Sequence, residues 1–253
     1  MSFIKIDHVS KAYGDQVVLE NLNCQVERGE FITIVGASGC GKTTFLNMLL
    51  GTENPSRGNI LLEGEALPDE PNEDRGVVFQ RYSVFPHLTV LQNVMLGSEL
   101  SQSRFFGRLV GAKRRRVREE AASMLASVGL DQAFDKYPHQ LSGGMQQRLA
   151  LAQSLIKKPR ILLLDEPFGA LDPGIRADMH KLVLDLRREQ QLTIFMITHD
   201  ISEGFYLGTR LWVFDKVRVD PQAPQAYGAK ITYDLPVGEV QPEVLEEITT
   251  GLN

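Results

Sequence analysis

The feature that most constrains this chain is the run Gly36-Ala37-Ser38-Gly39-Cys40-Gly41-Lys42-Thr43, with Thr44 next in line. It lies directly between an apolar, β-branched stretch at 31–35 and a helix-periodic stretch at 43–50 that Gly51 closes. The pattern G-x-x-x-x-G-K-[ST] in a strand–turn–helix setting is a phosphate-binding loop. Its glycines let successive backbone N–H groups wrap a phosphate, and the helix N-terminus adds a favourable dipole. Lys42 reaches the β and γ phosphates of a nucleotide, and the Thr43 hydroxyl is placed to ligate Mg²⁺. Cys40 fills the loop within this binding set and is read as neither a redox centre nor a metal ligand.

A phosphate loop of this kind needs a second, acidic strand to hold the metal. Ile161-Leu162-Leu163-Leu164-Asp165-Glu166 supplies four apolar residues followed by two carboxylates. Asp165, at the end of the buried run, is expected in the Mg²⁺ shell. Glu166, one residue on, is the expected general base that polarises an attacking water.

The rest of the chain reads as an α/β protein. Apolar runs at 17–19, 31–35, 59–62, 76–79, 161–164, 193–197 and 211–214 read as strands. Those at 31, 76, 161 and 193 are nearly continuous in apolar residues, as parallel strands covered on both faces are. The N-terminal ones alternate, which predicts a second, antiparallel and half-exposed sheet. Helical periodicity appears at 43–50, 114–128, 142–157 and 175–188, with Gly51, Gly129 and Pro159 as stops. No strand is evident between Gln80 and Leu141, so residues 81–158 are expected to form a helical lobe inserted into the core. After Asp220 the pattern weakens, with one strand predicted at 229–233.

Composition narrows the setting. Twenty-seven Lys plus Arg against thirty-two Asp plus Glu give a net charge of −5, so no basic excess points to nucleic acid. The two cysteines, Cys24 and Cys40, are too few for a disulfide framework or a four-ligand zinc site and suit a reducing compartment. No run approaches the ~20 apolar residues of a membrane span, and the first residues alternate rather than follow a secretory leader pattern.

One more motif decides the reading. Leu141-Ser142-Gly143-Gly144-Met145 opens a helix, with Ser142 as the expected N-cap. Together with the two motifs above, these residues resemble the ATP-binding cassette (ABC) ATPases, whose LSGGQ signature closes over the nucleotide of a partner subunit. The resemblance runs from about residue 3 to 214. It implies a RecA-like P-loop NTPase core with an N-terminal antiparallel β-subdomain and an inserted α-helical subdomain, a cassette over 1–220 and a C-terminal tail over 221–253. Met145 in place of Gln resembles the LSGGM form found in importers of nitrate, sulfonate, taurine and related solutes.

By the same resemblance, Tyr13 matches the aromatic residue that stacks on adenine. Gln80 matches the glutamine that touches Mg²⁺ and the attacking water, Asp172 the loop that communicates across the dimer, and His199 the switch histidine beside the γ-phosphate. Taken singly, Tyr13 would read as a packing residue and His199 as a strand-end residue. The resemblance further implies a head-to-tail dimer of ATPase subunits with composite ATP sites, integral membrane permease subunits, an indirect solute-binding partner, no nucleic acid, and a peripheral place on the cytoplasmic face of the membrane. Tyr82, Phe85 and Leu88 are the expected membrane-subunit contacts.

An efflux or lipid-handling ATPase shares every catalytic residue and differs only in partners. Non-transport members of the superfamily carry two cassettes or long insertions, whereas only one hundred positions separate Lys42 from Ser142 here. The basic run Lys113-Arg114-Arg115-Arg116 is followed by acids and reads as a solvated helix face. Residues 105–110 are apolar and basic and are a candidate membrane or membrane-subunit contact. The tail could regulate, extend the dimer interface or cap the core.

Overall fold

The computed structural model describes residues 2–79, 84–102, 111–218, 222–223 and 225–239. Two sheets organise it. The N-terminal sheet is antiparallel, in the order β2-β1-β4-β5, from β1 (Ile4–Tyr13), β2 (Gln16–Val26), β4 (Arg57–Leu62) and β5 (Glu65–Ala66). The central sheet has the order β10-β9-β3-β8-β7-β6, from β3 (Phe31–Gly36), β6 (Arg75–Val78), β7 (Ile161–Asp165), β8 (Thr193–Ile197), β9 (Arg210–Asp215) and β10 (Lys230–Pro236). Strands β6, β7, β8, β3 and β9 pair in parallel, and β10 adds an antiparallel edge.

The continuous apolar runs find their reason in this layering. Along β7, Leu162 and Leu164 face a core shared with the helices of the lobe, whereas Ile161 and Leu163 face a second core shared with the N-terminal sheet and α1 (Lys42–Leu50). Both faces of the strand are dry, so the period-two alternation of a half-exposed strand is absent. In the second core Phe45 of α1 meets the rings of Phe214, Trp212 and Phe195 with centroids 5.5, 6.0 and 6.2 Å apart. That packing locks the helix whose first turn carries the phosphate loop, and truncating such a ring costs about 3–5 kcal/mol.

Strands β1 and β2 run longer than their alternation suggests. Register shifts interrupt β1 between Ile6 and Val9, beside His8 in a left-handed conformation at φ 51°. The facing strand has Asn21 at φ 51°, and the His8 Nδ1 and Asn21 Oδ1 atoms meet at 2.8 Å. A bulge of this kind reverses the inward face and so hides the continuation of a strand from a period-two reading.

The lobe contains α2 (Val90–Gln102), α3 (Gly111–Ser127), a 3₁₀ turn at Pro138–Gln140 and α4 (Gly143–Leu155). Two helices complete the core, α5 (Pro173–Gln190) and α6 (Ile201–Leu207). No strand occurs among the described residues of the lobe. Val117, Ala121 and Leu125 bury one face of α3, while Arg115 and Arg116 pair with Glu119 and Glu120 on its exposed face at 3.1 and 3.0 Å. The basic run is a solvated helix face. Residues 103–110 lie outside the described residues.

The edge strand β10 starts one residue later than the sequence pattern suggests and runs three further. It is anchored by Asp234, which accepts hydrogen bonds from both the Arg210 guanidinium and the Trp212 indole, the latter at 2.8 Å. Just before it, Ala229 donates to the Val18 carbonyl at 2.9 Å and accepts from the Glu20 N–H at 2.9 Å. The segment that precedes the edge strand therefore also clasps β2.

Candidate nucleotide site

The phosphate loop joins the C-terminal end of β3 to α1. Gly36 has φ 151°, and a Cβ there would meet the Phe214 carbonyl oxygen at 2.2 Å. Gly41 caps α1 at φ 86°, and a Cβ there would strike Val18 and Leu19 of β2 at 2.8 Å. The loop is thus pressed between the two sheets, and only glycine fits at either point. The buried Lys42 ammonium donates to the carbonyls of Gly36 at 2.6 Å and Ala37 at 2.8 Å. Its charge is held inside the ring of backbone that would receive a phosphate. Burial pushes the Cys40 thiol up, so it stays protonated and inert beside Lys42.

Asp165 ends β7 opposite this helix start, and the Thr43 hydroxyl donates to its Oδ2 at 3.2 Å. Burial raises the Asp165 carboxyl above the ordinary carboxylate range, with Glu166 adding to the rise and the Thr43 hydrogen bond opposing it. A hydroxyl and a carboxylate converging in this way are the hard oxygen donors that Mg²⁺ takes alongside nucleotide phosphates and water. Among the described residues no cluster of three or more His, Cys, Asp or Glu side chains could hold a metal ion.

Glu166 has φ 49°, a left-handed conformation that costs a non-glycine residue about 1–2 kcal/mol. Its N–H donates to the Ile197 carbonyl at 3.0 Å, which ties it to the end of β8. Because Asp165 is in register with Ile197, the residues that follow the two strands emerge side by side. His199 Nε2 and Glu166 Oε1 lie 2.5 Å apart. Glu166 is largely covered and His199 more than half exposed.

Lys42, Thr43, Thr44, Ser38, Gly39, Gly41, Glu166 and His199 line one cleft of about 380 Å³, and Tyr13 stands at the same cleft. The Tyr13 phenol donates to Glu53, and the Lys11 ammonium lies 4.8 Å from its ring centroid. Burial and the Glu53 carboxylate push the phenol up, so the ring stays neutral. A second cleft, of about 770 Å³, opens on Ser38, Glu166, Gly169, Arg176 and His199.

Ser142 caps α4, its Oγ accepting from the Met145 N–H at 3.3 Å, and Asp172 occupies the N-cap position of α5. Neither of them, nor Gly143 or Gly144, lines the phosphate-loop cleft. Gly144 instead abuts α5, where an added Cβ would meet Ile175 Cγ2 at 2.4 Å. Gln80 and Tyr82 lie outside the described residues. Phe85 lines a separate cleft of about 610 Å³ between core and lobe, held there by Asn93, whose Oδ1 accepts from its N–H at 2.7 Å. Leu88 is half-buried and outside that lining.

Sequence reasoning passed over three residues near the switch turn: Arg176, His180 and Glu203. Nothing in their spacing distinguishes them from ordinary helix residues. The burial of Glu203, a side chain almost never hidden unless paired, together with that of His180, is the signal that only the fold exposes.

The family model described as ABC transporter matches residues 19–169, more than half of the chain and the stretch from β2 to the loop after Glu166. The chain belongs to the ABC transporter family. This ABC chain is 40% identical over 230 residues to the nitrate import ATP-binding protein NrtD of Synechocystis sp., covering 91% of itself and 80% of that relative. It is 42% identical over 214 residues to the bicarbonate transport ATP-binding protein CmpD of Synechocystis sp., covering 83% and 73%. Among solved structures, the dimeric ATP-binding cassette MJ0796 in a post-hydrolysis state with ADP and Pi is 30% identical, with a TM-score of 0.73 over 92% of this chain and 98% of that one. The cassette is accordingly an ATP-binding, ATP-hydrolysing protein coupled to transport, on the P-loop NTPase fold with its mixed α/β sheets. Among the described residues no helix is long and apolar enough to cross a membrane.

Proposed function

We propose that this chain is the ATPase subunit of an ABC importer for a small solute of the nitrate, bicarbonate or sulfonate kind. The observation that carries the catalytic part is the convergence of Lys42, Thr43 and the Glu166–His199 pair on one cleft, with Asp165 hydrogen-bonded to Thr43. The imported class rests on the likeness to NrtD and CmpD and on Met145 in the signature.

In this reading the N–H groups of residues 36–44 bind the phosphates of ATP, Lys42 is the counter-ion of the β and γ phosphates, and Tyr13 stacks on adenine. Thr43 and Asp165, with Gln80, hold Mg²⁺, which when bound supplies charge neutralisation along the triphosphate. Glu166 accepts the proton of the attacking water. His199, within 2.5 Å of Glu166, orients that carboxylate and donates to the γ-phosphate side. The reaction adds water across the terminal phosphoanhydride to give ADP and phosphate, with the water proton passing to Glu166.

A single chain leaves Ser142, Gly143, Gly144 and Asp172 away from its own phosphate loop, so those residues act on the ATP of a second copy or a paired ATPase subunit. The γ-phosphate then bridges two subunits, ATP favours the closed dimer and hydrolysis releases it. Movement passes to integral membrane permease subunits through the cleft at Phe85, and a solute-binding protein joins from the other side of the membrane. The chain is peripheral on the cytoplasmic face.

Affinity purification of the native complex followed by ATPase assay tests this. Recovery of a membrane-subunit pair, with hydrolysis stimulated by nitrate, bicarbonate or a sulfonate through the co-purified binding protein, is the expected result. A membrane pair that lacks any binding protein and is stimulated by lipid or an exported compound would overturn the importer reading.

A further inference from the structure

Behind the Glu166–His199 pair lies a buried polar network that the mechanism above does not use. Glu203 of α6 is buried with two acceptor oxygens, and each is taken. His180 Nε2 lies 2.8 Å from Oε1, and the Thr198 hydroxyl lies 2.5 Å from Oε2. A carboxylate only accepts, so His180 presents its Nε2–H. The Thr198 hydroxyl, having donated to Glu203, accepts from the Asp200 N–H at 3.1 Å, and Asp200 Oδ1 accepts from the Glu203 N–H at 3.1 Å. His199 is the one residue between Thr198 and Asp200, so both flanks of the switch histidine are tied to the same carboxylate and its helix.

The other end of the network is α5. His180 sits on that helix under the Phe168 ring, with centroids 5.0 Å apart in an edge-on contact. One turn earlier, Arg176 reaches the Asp200 carboxylate at 3.9 Å. Residues four apart on a helix share a face, so one face of α5 holds the switch turn at two points. The same helix begins at Pro173, directly after Asp172, and its Ile175 is the residue against which Gly144 packs.

We infer that His180, acting through Glu203 and Thr198, is a positioning residue that sets the place of His199 against Glu166, and that α5 thereby links the start of the signature helix to the switch turn. This rests on the reading of His199 as a participant in hydrolysis. A buried carboxylate with both oxygens taken holds its donors in place, and removal of one donor frees the turn. A small displacement of an oriented group lowers the chemical step more than ground-state binding.

The test is steady-state ATP hydrolysis and fluorescent-nucleotide binding by the full chain in four forms: wild type, His180→Leu, His199→Ala and the double variant, with His180→Gln as the conservative replacement. His199→Ala is expected to lower kcat strongly. His180→Leu is expected to lower kcat about tenfold, with KM and nucleotide Kd within about twofold of wild type. His180→Gln, which keeps a donor toward Glu203, should regain most of that loss, and His180→Leu should add nothing in the His199→Ala background.

An unchanged kcat in His180→Leu beside a reduced one in His199→Ala overturns the inference alone. So does an additive loss in the double variant, or a loss that His180→Gln does not recover. Full activity of His199→Ala overturns the reading of His199 itself and the inference with it. If His180→Leu does not fold, Thr198→Val, which removes the hydroxyl and keeps the shape, takes its place in the same four-way comparison.

Discussion

Two adjacent glycines at the start of α4 make opposite predictions. A Cβ on Gly143 meets nothing within 4 Å, whereas a Cβ on Gly144 falls 2.4 Å from Ile175 Cγ2. Ordinary carbon contacts lie near 3.5–4.0 Å, so Gly144→Ala must push α4 and α5 apart by more than about 1 Å or distort Ile175. Ile175 is β-branched, and its χ1 is stiff in a helix. Overpacking of this kind costs about 1–3 kcal/mol, and the better helix propensity of Ala returns about 0.5–1 kcal/mol. The net loss centres near 1–1.5 kcal/mol, which lowers Tm by about 2–6 °C in a domain of this size. Gly143→Ala should leave Tm unchanged or slightly raised and act only on ATP-dependent assembly. Thermal unfolding of the nucleotide-free chain measures the first effect, and sedimentation with ATP measures the second. In an Ile175→Ala background the space opens, and Gly144→Ala should become neutral or stabilising. An equal drop in Tm in both backgrounds would refute the argument from close approach.

Three further outcomes follow from the same geometry. Burial raises the Asp165 carboxyl, so the folded chain binds more protons than the unfolded one between the ordinary carboxylate value and the raised one. The favourable contribution is present in acid and is lost as pH rises through the raised value. Asp165→Asn should therefore raise the Tm of the nucleotide-free chain at neutral pH, flatten this part of its pH dependence and weaken Mg²⁺-dependent ATP binding. Asp234→Ala leaves Arg210 and Trp212 without their acceptor at the edge strand and should cost about 1–3 kcal/mol in urea unfolding. Phe85→Asp alters the cleft between core and lobe and should reduce co-purification of membrane subunits while nucleotide Kd stays unchanged.

Much of the fold is legible because burial on both faces writes itself into the sequence. The runs at 31–35, 161–164 and 193–197 are strands β3, β7 and β8 to within a residue, and Gly51 caps α1 at φ 85°. The phosphate loop is legible because its glycines answer backbone needs, at Gly36 and Gly41, that no other residue meets. What spacing does not carry is anything that depends on a second element. The bulge at His8 hides half of β1, and the anchoring of β10 needs Arg210 and Trp212 to meet Asp234 across a strand pair. Glu166 is a carboxylate after a strand in sequence, yet its left-handed backbone follows from the register of β7 against β8. His180 and Glu203 are 23 positions apart and become a pair only when α5 and α6 pack.

In the proposed cycle two copies of this chain close over ATP, and Glu166 opens them by promoting hydrolysis. Multi-angle light scattering of the Glu166→Gln chain with Mg²⁺ and ATP, followed by extraction and assay of the bound nucleotide, tests this cycle. The expected result is a stable dimer retaining one intact ATP per chain, dissolved by Ser142→Arg and never formed by Lys42→Ala, which should lose nucleotide binding altogether. A Glu166→Gln chain that stays monomeric with ATP bound, or that turns ATP over at the wild-type rate, would contradict it.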